Sequence, residues 1–209
     1  MSKVLGAITM SMDGYIAGPN DRVGAGLGDD GERLHYWMFG DPSRDGEAGR
    51  GGAAEVDQAY LDELFSSGGA WIVGRTMHDL ANGWGDDPGF GVPVFVVTHR
   101  DRETDIKGDT TFTFVTGGLD EALRRSREAA REKNVIVMGG AEVLRQCLDA
   151  GIVDELALTI APILIGSGKR LFDGIASTDL QFEPAAVIES PAATHIRYRV
   201  KSEASTIAR

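Results

Sequence analysis

Cysteine, positive charge and long apolar runs are all scarce in this sequence. A single cysteine, Cys147, among 209 residues excludes a disulfide framework within the chain. With 21 Lys and Arg against 32 Asp and Glu, the formal net charge is -11, which argues against nucleic acid and anionic membrane surfaces as partners because the field of the protein repels both. The N-terminal segment is too often interrupted by polar residues for a signal peptide or a membrane span, so we expect a cytoplasmic protein.

Most of the sequence consists of short apolar runs, typical of strands, that alternate with segments of helical periodicity. The hydrophobic content of 42% is enough for one ordinary core, so we expect a single domain over residues 1–209. Alternating strands and helices predict an α/β fold in three layers, with a mostly parallel central sheet, an antiparallel edge and helices on both faces. The predicted strands lie at 4–10, 70–73, 93–98, 111–115, 135–138, 156–164 and 195–200, and the predicted helices lie at 53–65, 77–81 and 119–133 and between Gly140 and Gly151.

A glycine-rich stretch interrupts this pattern early in the chain. Ten glycines fall within residues 18–52, so the segment cannot all be regular structure, although residues 33–39 have enough apolar and aromatic side chains for a short helix or turn. A loop of this length inside a domain is typically functional, so we expect a lid or a surface for a partner. Disorder is an alternative for the tip at 46–52, and we expect the tail at 201–209 to be flexible.

Two adjacent glycines, Gly139 and Gly140, stand where a predicted strand meets a predicted helix. Glycines at such a junction let the backbone come close to another group, and the first N–H groups of a helix have no partner within it. An anion would suit this position, and an ordinary turn would suit it equally. Cys147 lies on the apolar face of the following helix, so we expect a buried small side chain rather than a nucleophile or a metal ligand.

Three loops of similar design together favour a binding site. Gly74-Arg75-Thr76, Thr98-His99-Arg100 and Gly139-Gly140 each follow a predicted buried strand, and each offers backbone N–H groups, a hydroxyl or a cation. In an open parallel sheet the ligand lies outside the carboxyl ends of the strands, where such loops converge. An anionic ligand of an acidic protein needs local donors of this kind.

Five segments of the sequence occur in an order known from one protein family. They are SMDGYIAG, VGRTMHD, VFVVTHR, VIVMGGAEVLRQCLDAGIVDEL and LALTIAPILIGSGKRLF. Together they resemble the dihydrofolate reductase-like superfamily, and most closely the C-terminal reductase domain of bacterial bifunctional riboflavin-biosynthesis deaminase-reductases. Only the combination is specific. The His/Cys zinc motif of the deaminase part is absent, so we expect a stand-alone reductase.

The resemblance implies NADPH as the hydride donor. A helix N-terminus and an arginine are suitable donors for phosphate oxygens. For the basic cluster around His99 and Arg100, which Arg102 could assist, the alternative is a solvated loop with ordinary charges. The implied cofactor residues are Gly74, Arg75 and Thr76 at phosphate oxygens, Thr98, His99 and Arg100 at the adenosine 2'-phosphate, Gly139, Gly140, Ala141 and Glu142 at the pyrophosphate, and Thr9 and Ile16 beside the nicotinamide.

The resemblance also suggests which residues contact a substrate. Asp57 matches the carboxylate that binds the aminopyrimidine edge of the pterin in dihydrofolate reductases, and Thr159 matches a threonine that orders the same edge. Alternatively, Asp57 is a solvent-facing acid in the first turn of a helix, where the helix dipole favours it. Thr159 is alternatively an ordinary strand residue with no role in binding. Asp13 is either a catalytic acid or, as we expect, a residue that hydrogen-bonds its own backbone in an Asp-Gly turn.

These residues predict an NADPH-dependent reductase that acts on a small pyrimidine- or pterin-type heterocycle. Tyr36, Trp37 or Trp84 could stack on such a ring. One alternative is the phosphoribosylaminouracil reductase of riboflavin synthesis itself, for which Lys169 or Arg170 would bind the substrate phosphate. A second alternative is a protein that binds NADPH without turnover. The resemblance also implies a homodimer, with the late strand and the GSGKRLF turn as a candidate interface.

Overall fold

Strands and helices alternate along the part of the chain that the computed structural model describes, which comprises residues 2–41, 54–177 and 179–201. The helices there are α1 (Tyr36–Phe39), α2 (Glu55–Ser67), α3 (Arg75–Leu80), α4 (Gly118–Ala130) and α5 (Ala141–Asp149), with 3₁₀ turns at Gly31–His35 and Asn82–Trp84. The strands are β1 (Val4–Ser11), β2 (Tyr15–Ala17), β3 (Gly68–Gly74), β4 (Val94–Val97), β5 (Asp105–Lys107), β6 (Thr110–Val115), β7 (Asn134–Val137), β8 (Glu155–Ala161), β9 (Lys169–Arg170), β10 (Gln181–Glu189) and β11 (Thr194–Lys201).

Nine of the described strands form one sheet in the order β10-β11-β8-β1-β7-β3-β4-β6-β5, and β2 pairs with β9 in a small second sheet. The central strands from β8 to β6 are parallel to their neighbours. The antiparallel strands lie at the edges, with β11 and β10 on one side and β5 on the other. The carboxyl ends of the central strands therefore meet at one edge of the sheet, as the sequence predicts.

Side chains of the central strands alternate between two apolar cores. In β3, Ala70 and Ile72 pack in the core that α4 and α5 cover. Trp71 and Val73 pack in the core on the opposite face, which α1 and α2 cover. Because a strand turns successive side chains to opposite faces, a strand buried on both sides is apolar at every position. The predicted three-layer α/β fold is confirmed.

Glycines set both ends of α5. Gly140, which precedes the helix, has φ 73°, and Gly151, which follows it, has φ 64°. At the end of the helix the Ile152 N–H donates to the Cys147 carbonyl and the Gly151 N–H to the Leu148 carbonyl, both at 2.9 Å, which satisfies carbonyls that lack helical partners. Cys147 is fully buried, as predicted, and burial raises the pKa of its thiol to about 12.

The sequence pattern does not predict β5, β9 or β10. Nearly every residue of β10 is exposed, so no hydrophobic alternation marks it. β9 contains two residues within the expected GSGKRLF turn, and it pairs with β2. The start of α3 also differs, because it begins at Arg75 rather than at residue 77 and so includes Arg75 and Thr76 in its first turn.

The described part of the glycine-rich segment folds back on itself. The Gly18 N–H donates to the Leu27 carbonyl at 2.7 Å, and the Asp29 N–H donates to the Pro19 carbonyl at 2.8 Å. A Cβ at Gly28, where φ is 73°, would lie 2.4 Å from the Gly18 carbonyl oxygen, so this crossing requires glycine. The predicted tip at 46–52 and the tail beyond Lys201 lie outside the described residues. None of the described helices is long and apolar enough to span a membrane.

Candidate active site

One large cavity opens at the carboxyl ends of the parallel strands, with a volume of about 1760 Å³. Its walls come from the strand ends, from α2 and α3, and from the described part of the glycine-rich segment. All of the residues that the resemblance implies for cofactor binding line this cavity, namely Thr9, Ile16, Gly74, Arg75, Thr76, Thr98, His99, Arg100, Gly139, Gly140, Ala141 and Glu142. The structure therefore brings together residues that are up to 133 positions apart in the chain (Glu142 minus Thr9).

The glycine pair presents backbone donors to the cavity. Gly139 and Gly140 both have positive φ, at 74° and 73°, a conformation that residues with a side chain rarely adopt. The first hydrogen bond of α5 runs from the Leu144 N–H to the Gly140 carbonyl at 3.2 Å. The N–H groups of Ala141 and Glu142 precede that bond, so they have no partner within the helix. Such N–H groups are suited to an anion.

The Glu142 carboxylate is directed away from these donors. Its side chain is 71% exposed, and it accepts hydrogen bonds from Arg145 at 2.9 Å and Gln146 at 3.0 Å along the surface of α5. The bonds from Gln146 and Arg145 lower the pKa of Glu142. The negative charge of Glu142 at the start of α5 is therefore paired with Arg145 and Gln146 of the same helix.

Positive charges gather around Phe114 of β6, beside the start of α3. The Arg75 guanidinium lies 5.6 Å and the Arg102 guanidinium 4.8 Å from the centre of the Phe114 ring. Arg75 Nε donates to both carboxylate oxygens of Asp79 at 2.7 Å. Among the described residues, the two terminal nitrogens of Arg75 have no hydrogen-bond partner, so they are available to a ligand.

A turn after β4 adds a second cationic group. The Thr98 hydroxyl oxygen accepts a hydrogen bond from the Arg100 N–H at 3.1 Å, which holds the two residues that follow Thr98 in a turn. His99 and Arg100 are exposed, and neither side chain pairs with another described residue. The loop therefore offers a cation at the rim of the cavity.

A row of polar side chains crosses the sheet on the face covered by α2. Thr9 of β1 is in register with Thr159 of β8, and Thr159 is in register with His195 of β11. Side chains in register on neighbouring strands point to the same face. Thr9 and Thr159 both line the cavity.

Asp57 lies in α2 opposite this row. The Asp57 and His195 side chains are both 0% exposed, and Asp57 Oδ1 is 2.8 Å from His195 Nε2. His195 Nδ1 is 2.9 Å from the Thr159 hydroxyl. The ring of Tyr60 stacks on the imidazole with centres 3.9 Å apart, and burial raises the pKa of Tyr60. Asp57 itself does not line the cavity, so its direct contact with a substrate stays a prediction.

Aromatic side chains form much of the remaining wall. Trp37, Trp71 and Trp84 all line the cavity, whereas Tyr36 does not. Trp84 stacks parallel to Phe112, with an angle of 5° and ring centres 6.0 Å apart. Its backbone has φ 56°, which is unfavourable for tryptophan and which the surrounding structure must hold. A flat, aromatic-lined space of this kind suits a planar ring.

Asp13 forms hydrogen bonds both within its own turn and across the chain. Its carboxylate accepts hydrogen bonds from the Ser11 hydroxyl at 2.6 Å, the Gly166 N–H at 2.7 Å and the Ile165 N–H at 3.2 Å, and these bonds lower its pKa. The role expected for Asp13 in its turn is therefore extended to the segment that follows β8. Asp13 does not line the cavity, which argues against a catalytic acid.

The two candidate phosphate ligands after β8 are already engaged. Lys169 lines the cavity but forms an ion pair with Asp21. The Arg170 guanidinium lies over the ring of Tyr15 at 4.5 Å and donates to its hydroxyl at 3.1 Å. Neither cation is directed to the cavity without a partner.

Sequence reasoning misses His195 and the stacking of Tyr60 against it. The alternation at 195–200 predicts a strand but gives no reason to single out its first histidine, and Tyr60 fits the apolar stripe of a helix. Their importance follows from the register of β11 with β8, which no local pattern specifies.

Comparisons with known proteins point to one family. Residues 2–195 match the family described as RibD C-terminal domain. The structure of a putative riboflavin biosynthesis protein from Shewanella sp. PV-4 matches with a TM-score of 0.69 and 22% identity, over 95% of this chain and 99% of that chain. RibD from Acinetobacter baumannii matches with a TM-score of 0.61 and 15% identity, over 96% of this chain and 58% of that chain. Dihydrofolate reductase from Enterococcus faecalis, complexed with NADP(H) and RAB-propyl, matches with a TM-score of 0.53 and 14% identity, over 96% and 97% of the two chains. At these identities the structural matches establish the fold alone.

Replacing His195 with leucine should strongly destabilise the protein. The Asp57 carboxylate would stay buried without its donor, and removing one partner of a buried pair typically lowers the free energy of unfolding by about 3–5 kcal/mol. The double variant Asp57→Leu/His195→Leu should be more stable than His195→Leu, because apolar side chains of similar volume often replace such a pair at little cost. Urea denaturation of the unmodified protein and the two variants measures these differences, and a double variant no more stable than the single one contradicts the assignment of a coupled buried pair.

Proposed function

Since the chain belongs to the RibD C-terminal domain family, we propose that it is an NADPH-dependent reductase that transfers a hydride to a small pyrimidine- or pterin-type heterocycle. The observation that carries this proposal is that the three loops after β3, β4 and β7 and a buried polar row converge on one cavity. In a reductase of this kind the reduced nicotinamide supplies the hydride, and the protein supplies position and a proton.

The residues of the cavity fit a dinucleotide in three respects. The volume of about 1760 Å³ exceeds the roughly 300–1,000 Å³ of a pocket for one drug-sized ligand, so a second ligand has room beside the first. Gly139 and Gly140 carry no side chain where a pyrophosphate would approach the start of α5. The terminal nitrogens of Arg75 and the side chain of Arg100 supply local positive charge in a protein of net charge -11.

The charge distribution favours a phosphorylated nicotinamide cofactor. Arg75 and Arg100 line the cavity at the ends of β3 and β4, where a 2'-phosphate would gain charge-assisted hydrogen bonds, and Arg102, which pairs with Asp105, adds positive charge beside Arg75. A cofactor without that phosphate would lack these bonds. We therefore assign the 2'-phosphate to this cluster and the pyrophosphate to the glycine pair.

The other half of the cavity suits a flat and largely uncharged substrate. Trp37, Tyr60 and Trp84 line it, and the polar row ends there at Thr159. A substrate that carries a ribose phosphate would need a cation that is not already paired, and Lys169 and Arg170 are engaged by Asp21 and Tyr15. The proposal therefore favours a heterocycle without a phosphate.

Arg100→Ala should weaken binding of NADPH far more than binding of NADH. Loss of one charge-assisted hydrogen bond to the phosphate corresponds to about 1.5–3 kcal/mol, which is roughly a 10- to 150-fold rise in Kd. Fluorescence titration of both cofactors measures the change. Arg124→Ala is the matched control, because Arg124 is an exposed arginine of α4 that pairs with Glu128 outside the cavity. Equal losses for the two cofactors would contradict the assignment, as would equal affinities of the unmodified protein.

Gly139→Val should abolish tight NADPH binding in a protein that still folds. Valine is strongly disfavoured at φ 74°, so the backbone must move away from the conformation that presents its donors. Gly174→Val introduces a similar strain at φ 79°, in an open position outside the cavity. We expect both variants to lose stability and only Gly139→Val to lose NADPH binding; normal binding by folded Gly139→Val would refute the pyrophosphate site.

NADPH should be oxidised when a suitable acceptor is added. A panel of dihydropterins, aminopyrimidines and flavins, followed by the loss of reduced-nicotinamide absorbance, tests the reaction directly. We expect turnover with a pterin or pyrimidine and little with a flavin. Tight NADPH binding without oxidation by any member of the panel would support a binding protein and overturn the proposed reductase.

A further inference from the structure

The cavity continues from the ends of the strands along the face of the sheet that α2 covers. Gly74 and Arg75 line it at the carboxyl end of β3, and Trp71 lines it three residues before Gly74. Three residues of a strand span about 10 Å, so the cavity extends well beyond the edge where the loops converge. We call this part the apolar arm, and we define it by the lining residues Leu61, Leu64, Phe65, Trp71, Trp84 and Phe90.

Four aromatic rings form one continuous surface in the apolar arm. The centres of the Phe65 and Trp71 rings lie 5.3 Å apart. The centre of the Phe90 ring lies 4.5 Å from that of Trp71 and 5.4 Å from that of Trp84. The surface therefore joins α2 to the segment 84–90 across β3, and the two leucines of the arm add aliphatic groups from α2. A ligand in the arm would meet carbon atoms on most sides, which favours an apolar group.

The elements that form the apolar arm carry no positive charge. No lysine or arginine occurs in α2, in β3 or in the segment 84–90, and Asp87 of that segment lines the cavity with a negative charge. The lysines and arginines that line the cavity come from other elements, and among the described residues they are Arg75, Arg100, Arg145 and Lys169. A phosphate or carboxylate in the arm would therefore lose its hydration without gaining a cation, which costs free energy.

Lys107 approaches the segment 84–90 from the side away from the cavity. Its ammonium group donates to the Gly85 carbonyl at 2.8 Å and to the Gly83 carbonyl at 3.2 Å, and Lys107 does not line the cavity. These two bonds hold the backbone on either side of Trp84. Lys107 therefore supports the wall of the apolar arm and does not face a ligand.

The apolar arm begins beside the position predicted for the substrate ring. Tyr60 and Thr159 line the cavity there. Leu64 follows Tyr60 by four residues in α2, so the two side chains lie on the same face of the helix, about 6 Å apart along its axis. A heterocycle held beside Tyr60 and Thr159 therefore has the arm as the next part of the cavity along α2.

We propose that the substrate heterocycle carries an uncharged, apolar substituent of benzyl size that lies in the apolar arm. This inference rests on the proposed reductase function and adds to it the class of the substituent. Burial of the substituent against the aromatic surface stabilises the complex, whereas desolvation without a cation disfavours a substituent that ends in a phosphate or a carboxylate. The arm is thus the part of the cavity that selects among heterocycles with the same ring.

Binding of heterocycles that differ in one substituent tests the proposal. Pterin substituted at position 6 and 2,4-diaminopyrimidine substituted at position 5 each carry hydrogen, benzyl or 4-carboxybenzyl, and isothermal titration calorimetry without cofactor measures the six Kd values. In at least one ring series the benzyl compound should bind more tightly than the other two by roughly 10- to 150-fold, the range for full burial of a side chain of this size. Equal affinities, tightest binding of a carboxybenzyl compound, or no binding of any compound would overturn the proposal.

Phe65→Arg and Phe90→Arg each place a cation in the apolar arm, one from α2 and one from the segment 84–90. Both phenylalanines are partly exposed, so a longer side chain can be accommodated. Each folded variant, as checked by circular dichroism, should bind the benzyl compound at least about tenfold more weakly and the carboxybenzyl compound more tightly than the unmodified protein. Phe182→Arg is the matched control, because Phe182 of β10 is 37% exposed and does not line the cavity. An unchanged order of affinities in Phe65→Arg and Phe90→Arg, or the same change in Phe182→Arg, would contradict the placement of the substituent.

Failure of this inference and failure of the proposed function give different results. A preference for the benzyl compounds in calorimetry, with no oxidation of NADPH by any acceptor, supports the apolar arm as a ligand site and overturns the reductase. Oxidation of NADPH with the same kcat/KM for all three substituents supports the reductase and overturns the arm.

Discussion

The register of β1, β8 and β11 is the constraint on which the candidate site depends. It aligns Thr9, Thr159 and His195 in one row, although they come from two parallel strands and one antiparallel strand. A shift of β11 by one residue would turn His195 to the opposite face and leave the Asp57 carboxylate buried without a donor. The hydrogen bond between Asp57 of α2 and His195 of β11 therefore opposes any such shift, and the candidate site and the specificity of the fold depend on the same contact.

The fold and the loops that line the cavity could be predicted from the sequence because their signals are local. A buried strand followed by Gly139-Gly140 or by Gly74-Arg75-Thr76 can be recognised within a few residues of sequence. Parallel strands then bring the loops at their carboxyl ends together. The substrate half has no comparable signal. His195 acts only through a partner 138 positions away, and Tyr60 resembles any apolar helix residue until the imidazole is placed against it. Strand β10 escaped prediction for a different reason, since an edge strand exposed on both faces has no core to impose alternation.

The cavity and the buried Asp57–His195 pair differ in their electrostatics. At the strand ends, arginines and helix-terminal N–H groups supply local positive charge that the proposed anionic cofactor would need in an acidic protein. Beneath α2, a carboxylate and an imidazole are kept away from water. Asp57 Oδ1 bonds to His195 and aromatic rings pack against the imidazole, whereas Asp57 Oδ2 has no hydrogen-bond partner among the described residues. The charges at the strand ends tolerate small movements. The Asp57–His195 pair requires fixed geometry, and it is held by α2 and the sheet rather than by a loop.

The placement of the tryptophans has an optical consequence. All three tryptophans of the sequence, Trp37, Trp71 and Trp84, line the cavity, and Trp37 stands edge-on to the imidazole of His195. The intrinsic emission of the protein therefore originates entirely at the place where ligands would enter, with no background from distant indoles. A reduced nicotinamide absorbs in the region where tryptophan emits, so energy transfer from these rings would make the unlabelled chain a reporter of its own occupancy.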